Sequence, residues 1–154
     1  MIYPPLERTE EEEGELLKGV LEEVEEDSSL KERAARVPVL LVDDDNINLK
    51  LGKINLEKLG FTVDVAENGK IALEMLENRE YGLVLLDVQM PVMDGYETAK
   101  NIRERETKGR MPIIALTAST LADEIEMCYR SGMDDFISKP IDRERIISVI
   151  QKYV

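Results

Sequence analysis

Four stretches of this chain end an apolar run in side chains that can hold a cation or receive a phosphoryl group. Val39–Val42 is followed by Asp43, Asp44 and Asp45, and Leu83–Leu86 by Asp87 and then Gln89. Ile113–Leu116 runs into Thr117 and Ser119, and Asp135–Ile137 into Ser138 and Lys139. Three or more carboxylates on one rim repel and raise at least one pKa unless a cation is present. Lys139 offsets one charge. Hard oxygen ligands carrying residual negative charge suit Mg2+, which keeps waters and phosphate oxygens in its shell. The chain has no His and one Cys, so zinc and copper fit poorly and histidine acid–base chemistry is excluded. An Asp carboxylate beside Mg2+, an ammonium and a hydroxyl can attack a phosphoryl group and hold it as an acyl phosphate. The cation, Lys139 and Thr117 would then each take one equatorial oxygen. Singly these residues have ordinary explanations: a solvated turn for 43–45, a helix cap for Thr117, a surface charge for Lys139. Jointly, at the ends of the first, third, fourth and fifth strands in order, they read as one site.

The elements that must position them follow from the alternation of patterns after Val37. Short β-branched or Leu-rich runs lie at Val39–Val42, Phe61–Val65, Leu83–Leu86, Ile113–Leu116 and Asp135–Ile137. Between them, apolar residues recur at helical spacing: Ile47, Leu51 and Ile54; Ile71, Leu73, Met75 and Leu76; Tyr96, Ala99 and Ile102; Leu121, Ile125 and Cys128. Ile146, Val149, Ile150 and Tyr153 form a fifth set. Asp94 and Asp142 suit N-caps, and Gly60 and Gly132 suit helix stops. Five strands each followed by a helix specify a doubly wound α/β fold, a five-stranded parallel sheet with helices on both faces. The first, third and fourth strands are near-continuous apolar runs, as expected where both faces are covered. The second, with Thr62 and Asp64, belongs at an edge. Right-handed crossovers send every strand's carboxyl end to one rim, where ligands bind.

Length and charge bound the rest. At 154 residues the chain holds one ordinary domain plus an appendage. A formal charge of −13 argues against a nucleic-acid groove and against anionic lipid. No apolar run approaches a membrane span, and the lone Cys fits a reducing compartment, so a cytoplasmic location is expected. Residues 1–36 hold 12 acidic and 5 basic side chains and form an acidic leader or linker, with residues 37–154 as the domain. Leu16, Leu17, Val20, Leu21 and Val24 make one narrow apolar stripe in that leader. Either it is a solvated linker with helical tendency, or the stripe serves a partner or a homodimer.

The runs Leu41-Val42-Asp43-Asp44, Leu86-Asp87-Val88-Gln89-Met90-Pro91-Val92-Met93-Asp94-Gly95, Ala115-Leu116-Thr117-Ala118 and Ser138-Lys139-Pro140 resemble the receiver (response-regulator) domain of two-component signalling. The resemblance spans about residues 38–153. It implies a flavodoxin-like strand order 2-1-3-4-5 with Asp87 as phosphoacceptor. Asp43 and Asp44 would hold Mg2+ with Asp87 and the Gln89 backbone carbonyl, Asp44 being the more direct ligand. It further implies that Thr117 is the switch hydroxyl, Phe136 the switch aromatic and Lys139 the phosphoryl-pairing amine ahead of a cis Pro140. Gln89 and Ser119 fall where the family tunes hydrolysis. The donor implied is a histidine kinase or histidine phosphotransfer domain, and the domain would promote its own phosphorylation and dephosphorylation. Asp43-Asp44, Asn48 and Met93-Asp94-Gly95-Tyr96-Glu97 are most like receivers of hybrid sensor kinases, which would tether the domain if it is part of one. Asp45 stands where the family usually has Asn. The last helix ends at Val154, so no output domain is expected within the chain.

Three rival readings carry their own tests. A Mg2+-dependent aspartyl-phosphate phosphatase would want a second acid where Gln89 stands. A pseudo-receiver interaction module would not need the complete set of acids, Thr117 and Lys139. Flavin or nucleotide binding suffers from an acidic first loop without glycine.

Overall fold

The computed structural model describes residues 30–107 and 109–154. The leader stripe Leu16–Val24 therefore lies outside the described residues. Among the described residues, five strands, β1 (Pro38–Val42), β2 (Thr62–Ala66), β3 (Leu83–Asp87), β4 (Ile113–Thr117) and β5 (Asp135–Ser138), are each followed by a helix. The helices are α1 (Asn46–Lys58), α2 (Gly69–Asn78), α3 (Gly95–Arg105), α4 (Ala122–Arg130) and α5 (Arg143–Ile150). All strand pairs are parallel and the order is β2-β1-β3-β4-β5, with the polar β2 at one edge. The expected strands each extend by one residue at their carboxyl ends, except β1, which instead begins at Pro38.

The alternation of side chains along the central strands builds two cores. Val39, Leu41, Leu83, Leu85, Ile114 and Leu116 face α1 and α5. Leu40, Val42, Val84, Leu86, Ile113 and Ala115 face α2, α3 and α4. Being apolar on both faces, β1, β3 and β4 bury nearly every residue, which is why they read as unbroken runs. Asp94 and Asp142 cap α3 and α5, accepting from the Glu97 and Arg145 amides. Gly60 and Gly132 sit at φ +103°, where a side chain would be strained.

Two features depart from the pattern read in the sequence. Ile47, Leu51 and Ile54 are not the buried face of α1; they point to solvent, and Leu49, Gly52 and Leu56 face the core. Gly52 is there because a Cβ would fall 2.8 Å from a Leu41 methyl. In α4 only Cys128 is buried, and Leu121 is exposed. At the other end of the chain, Leu30 and Ala34 are buried in the α1/α5 core beside Leu59 and Phe61. Residues from Leu30 onward thus pack with the sheet, although the compositional boundary falls at 36/37.

Candidate phosphoryl-accepting site

Parallel register explains why the polar residues meet. Val42 pairs with Leu86, so the next residues, Asp43 and Asp87, emerge side by side at the carboxyl rim. Thr117 at the end of β4 pairs with Ser138 on the neighbouring strand β5, one step before Lys139. The chain runs from β1 outward to β2, then returns to β3 on the other side, and this reversal opens a cleft at the rim. The cleft, about 230 Å³, is lined by Asp44, Asp45, Asp87, Gln89, Thr117, Ser119 and Lys139, with Asn48, Tyr96 and Glu124 on its walls.

Lys139 reaches both central acids. Its Nζ lies 3.2 Å from Asp43 Oδ2 and 3.1 Å from Asp87 Oδ1. The Lys139 backbone is held by its amide, which donates to the Thr117 carbonyl at 2.8 Å. The peptide that follows it, Lys139–Pro140, is cis. Asp43 is anchored by its own amide donating to Ala66 O and by the Asp45 amide donating to Asp43 Oδ1 at 2.9 Å. Asp87 Oδ1 accepts from the Gln89 amide at 3.3 Å. Asp45 caps α1, accepting from the Ile47 and Asn48 amides, so its carboxylate has a structural task at the cleft edge.

Charge is unbalanced here. Oxygens of Asp43, Asp44 and Asp87 all lie within 4.8 Å of one another, Asp44 exposed and the other two buried. Burial and then the neighbouring Asp43 charge push the Asp87 carboxyl up to about 7, against the opposing pull of Lys139. Burial lowers the Lys139 ammonium, but its contacts with Asp87 and Asp43 outweigh that and raise it above its ordinary value. Buried Asp43 Oδ2 has the Lys139 ammonium at 3.2 Å as its charged neighbour. A set of three close carboxylates facing one ammonium fits a hard divalent cation.

Thr117 is oriented away from the acids. Its hydroxyl donates to Ser119 O at 2.7 Å and accepts from the Ser119 amide at 3.1 Å, while Ser119 Oγ accepts from the Leu121 amide. Phe136 is half-buried against the α2/α3/α4 core. The β3–α3 loop is held by close backbone approach: Gly95 donates to Val88 O at 2.9 Å, and a Cβ on Gly95 would strike the Asp87 carbonyl oxygen. Glu124 is the cleft residue that the sequence patterns did not mark. Its only signal was its place in the first turn of the helix after Thr117, which a one-dimensional pattern does not aim at a rim.

The fold and motif pattern have clear relatives. The response regulator receiver domain family matches residues 39–151. The Escherichia coli aerobic respiration control sensor protein ArcB is 43% identical over 116 residues, covering 75% of this chain and 15% of that protein. The chain spans 7–17% of the length of the curated relatives it matches. Among solved structures, the receiver domain of a Pseudomonas aeruginosa sensor histidine kinase, with magnesium coordinated in its active-site cleft, is 35% identical with TM-score 0.70. It covers 76% of this chain and 96% of that one. The receiver domain of the Saccharomyces cerevisiae regulator Ssk1, solved with the histidine phosphotransfer protein Ypd1, is 28% identical with TM-score 0.70, covering 76% and 88%. Sheet order, cleft and family match agree, and the chain belongs to the response regulator receiver domains.

Proposed function

We propose that Asp87 receives a phosphoryl group from a phosphohistidine and that the domain signals by the resulting change in its rim. The observation that carries this reading is the Lys139 ammonium held about equally close to Asp43 and Asp87 at the end of the central strand. In the transfer, an Asp87 carboxylate oxygen attacks phosphorus, the P–O bond forms as the P–N bond breaks, and the electron pair returns to the imidazole nitrogen of the donor. Asp43, Asp44, Asp87 and the Gln89 carbonyl would hold Mg2+, which supplies charge neutralisation for the phosphoryl oxygens when bound.

The chain's own residues do the positioning. Asp43, fixed by two backbone hydrogen bonds, keeps Lys139 beside the nucleophile. Lys139 favours the ionised, nucleophilic form of Asp87 against the burial that disfavours it. Once phosphorylated, Asp87 carries new negative charge that Lys139 pairs with. The Thr117 hydroxyl would exchange its bond to Ser119 O for one to the phosphoryl group, freeing space for Phe136 to turn inward. That exchange biases two conformations of the β4–α4 and β5 regions, and a partner selects between them. Gln89 and Ser119 flank the path of an attacking water and would set the lifetime.

A histidine kinase or histidine phosphotransfer protein is the donor this chemistry requires, in keeping with the receiver structure solved beside Ypd1. Among the described residues no helix is long and apolar enough to cross a membrane. The test is phosphorylation by a phosphohistidine donor and by acetyl phosphate with Mg2+ or EDTA present. Wild-type protein should form an acid-stable, hydroxylamine-labile adduct only with Mg2+, and Asp87→Asn should form none. An equal adduct on Asp87→Asn would reject the assignment, and Lys139→Ala with unchanged phospho-dependent partner affinity would reject the role of the lysine.

A further inference from the structure

Asp87 sits at the floor of the cleft, and further acids ring its mouth. The lining holds Asp44, Asp45, Asp87 and Glu124 against Lys139 as its one cation. Asp87 is buried, whereas Asp45 is exposed and Glu124 partly so. Strand order puts β3 between β1 and β4. Asp45, which follows β1, and Glu124, in the first turn of the helix after β4, therefore flank Asp87 from two sides. Asp45 is committed to capping α1, and Asp44 belongs to the three-carboxylate group. Glu124 has neither task, and no ion pair among the described residues neutralises it. Its carboxylate faces the Tyr96 hydroxyl on the same wall, which burial first, then Cys128 and Glu124, raise above its ordinary value.

In an in-line displacement the phosphorus meets Asp87 and the leaving atom points back toward the mouth. What leaves decides how the mouth responds. In a phosphoramidate, as in a protonated N-phosphoryl imidazole, the leaving nitrogen side begins positive. The Asp87 O–P bond forms, the P–N bond breaks, the electron pair stays on nitrogen, and a neutral amine departs. In an acyl phosphate the leaving oxygen begins neutral, keeps the P–O bonding pair and departs as a carboxylate. At the transition state the mouth faces partial positive charge in the first case and partial negative charge in the second.

We propose that Glu124 is a specificity-determining residue: its unpaired carboxylate, standing where the leaving group departs, favours N-phosphoryl donors over acyl phosphates. That role rests on Asp87 as the phosphoacceptor and specifies what selects its donor. A unit charge at this solvent-lined mouth changes the ratio of the two rates roughly threefold at low salt. Being partly exposed, it is screened as salt rises.

The experiment gives the full chain, at saturating Mg2+, either phosphoramidate or acetyl phosphate and follows the adduct by intact mass. The readout is the ratio of the two second-order rate constants, in which any loss of folded protein or of Mg2+ affinity cancels. Glu124→Gln should lower the phosphoramidate to acetyl phosphate ratio about threefold, and Glu124→Lys about tenfold. Both effects should shrink toward unity in about 1 M salt. The same ratio in all three proteins would overturn the proposal. So would a change that persists undiminished at high salt, because it would mark shape rather than charge. If neither donor forms an adduct on the wild-type chain, the phosphoacceptor reading fails and the role of Glu124 falls with it. Adducts from both donors at an unchanged ratio reject Glu124 alone and leave that reading standing.

Discussion

Replacing Asp87 by Asn should change how the stability of the metal-free protein depends on pH. In the folded chain the Asp87 carboxyl is pushed up to about 7 from an ordinary value of 3.8, first by burial and then by Asp43. The folded state therefore binds the Asp87 proton more tightly than the unfolded state between about pH 4 and 7. Stability from this group is complete below about pH 4 and is lost as pH rises through about 7. At ~1.4 kcal/mol per pH unit, the full loss is about 4 kcal/mol, of which roughly 2–3 kcal/mol falls between pH 5 and 8. Asn carries no such charge and has nearly the same shape. The assay is urea unfolding in EDTA at pH 5 and pH 8 for both proteins. Wild-type should lose about 2–3 kcal/mol more than Asp87→Asn across that interval, and be the less stable of the pair at pH 8. Saturating Mg2+ should narrow the gap, since the cation favours the ionised carboxylate. Parallel pH dependences would refute the claim that a buried, uncompensated acid cluster sits at this rim.

Other consequences follow from particular contacts. Gly95→Ala should destabilise by about 2–3 kcal/mol, since its Cβ would meet the Asp87 carbonyl oxygen and lie 2.8 Å from Val88 Cα; chemical denaturation reads this, and acetyl phosphate uptake by the folded fraction should fall. Val92 holds φ +73° on an exposed β3–α3 loop, so Val92→Asn should raise unfolding stability by about 1 kcal/mol. Arg103 donates to Gly132 O, Met111 O and Asp134 and pairs with Glu106, joining α3 to the loops before β4 and β5. A lysine cannot make these planar contacts, and Arg103→Lys should cost about 2 kcal/mol in thermal or urea unfolding. Asn55 donates to Ile141 O at 3.0 Å, tying α1 to the chain just beyond Lys139 and Pro140. Asn55→Leu should lower phosphoryl uptake severalfold while Mg2+ affinity, set by the acids, changes little; equal loss of both would contradict a role in placing the lysine.

The strands, their count and the edge position of β2 were legible because burial on one or both faces writes itself into local composition. Leu83–Leu86 could only be a doubly covered strand, and the polar Thr62 and Asp64 marked β2 as an edge strand. The site was legible for the same reason: in a parallel sheet the residue after each strand arrives at one rim whatever the helices do. Asp43, Asp87, Thr117 and Lys139 needed no knowledge of packing to be placed together.

What the tertiary structure alone decided concerns direction. Helix α1 is apolar on both sides, so periodicity could not say whether Ile47, Leu51 and Ile54 or Leu49, Gly52 and Leu56 face the sheet; the close approach to Leu41 settled it. Composition divided the chain at 36/37, yet Leu30 and Ala34 fill a gap beside Leu59 and Phe61 that exists only once α1 and the sheet are assembled. The orientation of the Thr117 hydroxyl toward Ser119, the sharing of Lys139 between two acids and the approach of Glu124 likewise depend on distances between segments far apart in the chain. A sequence records which face each residue prefers, but the free energy of a contact depends on what stands opposite, and only the folded chain supplies that.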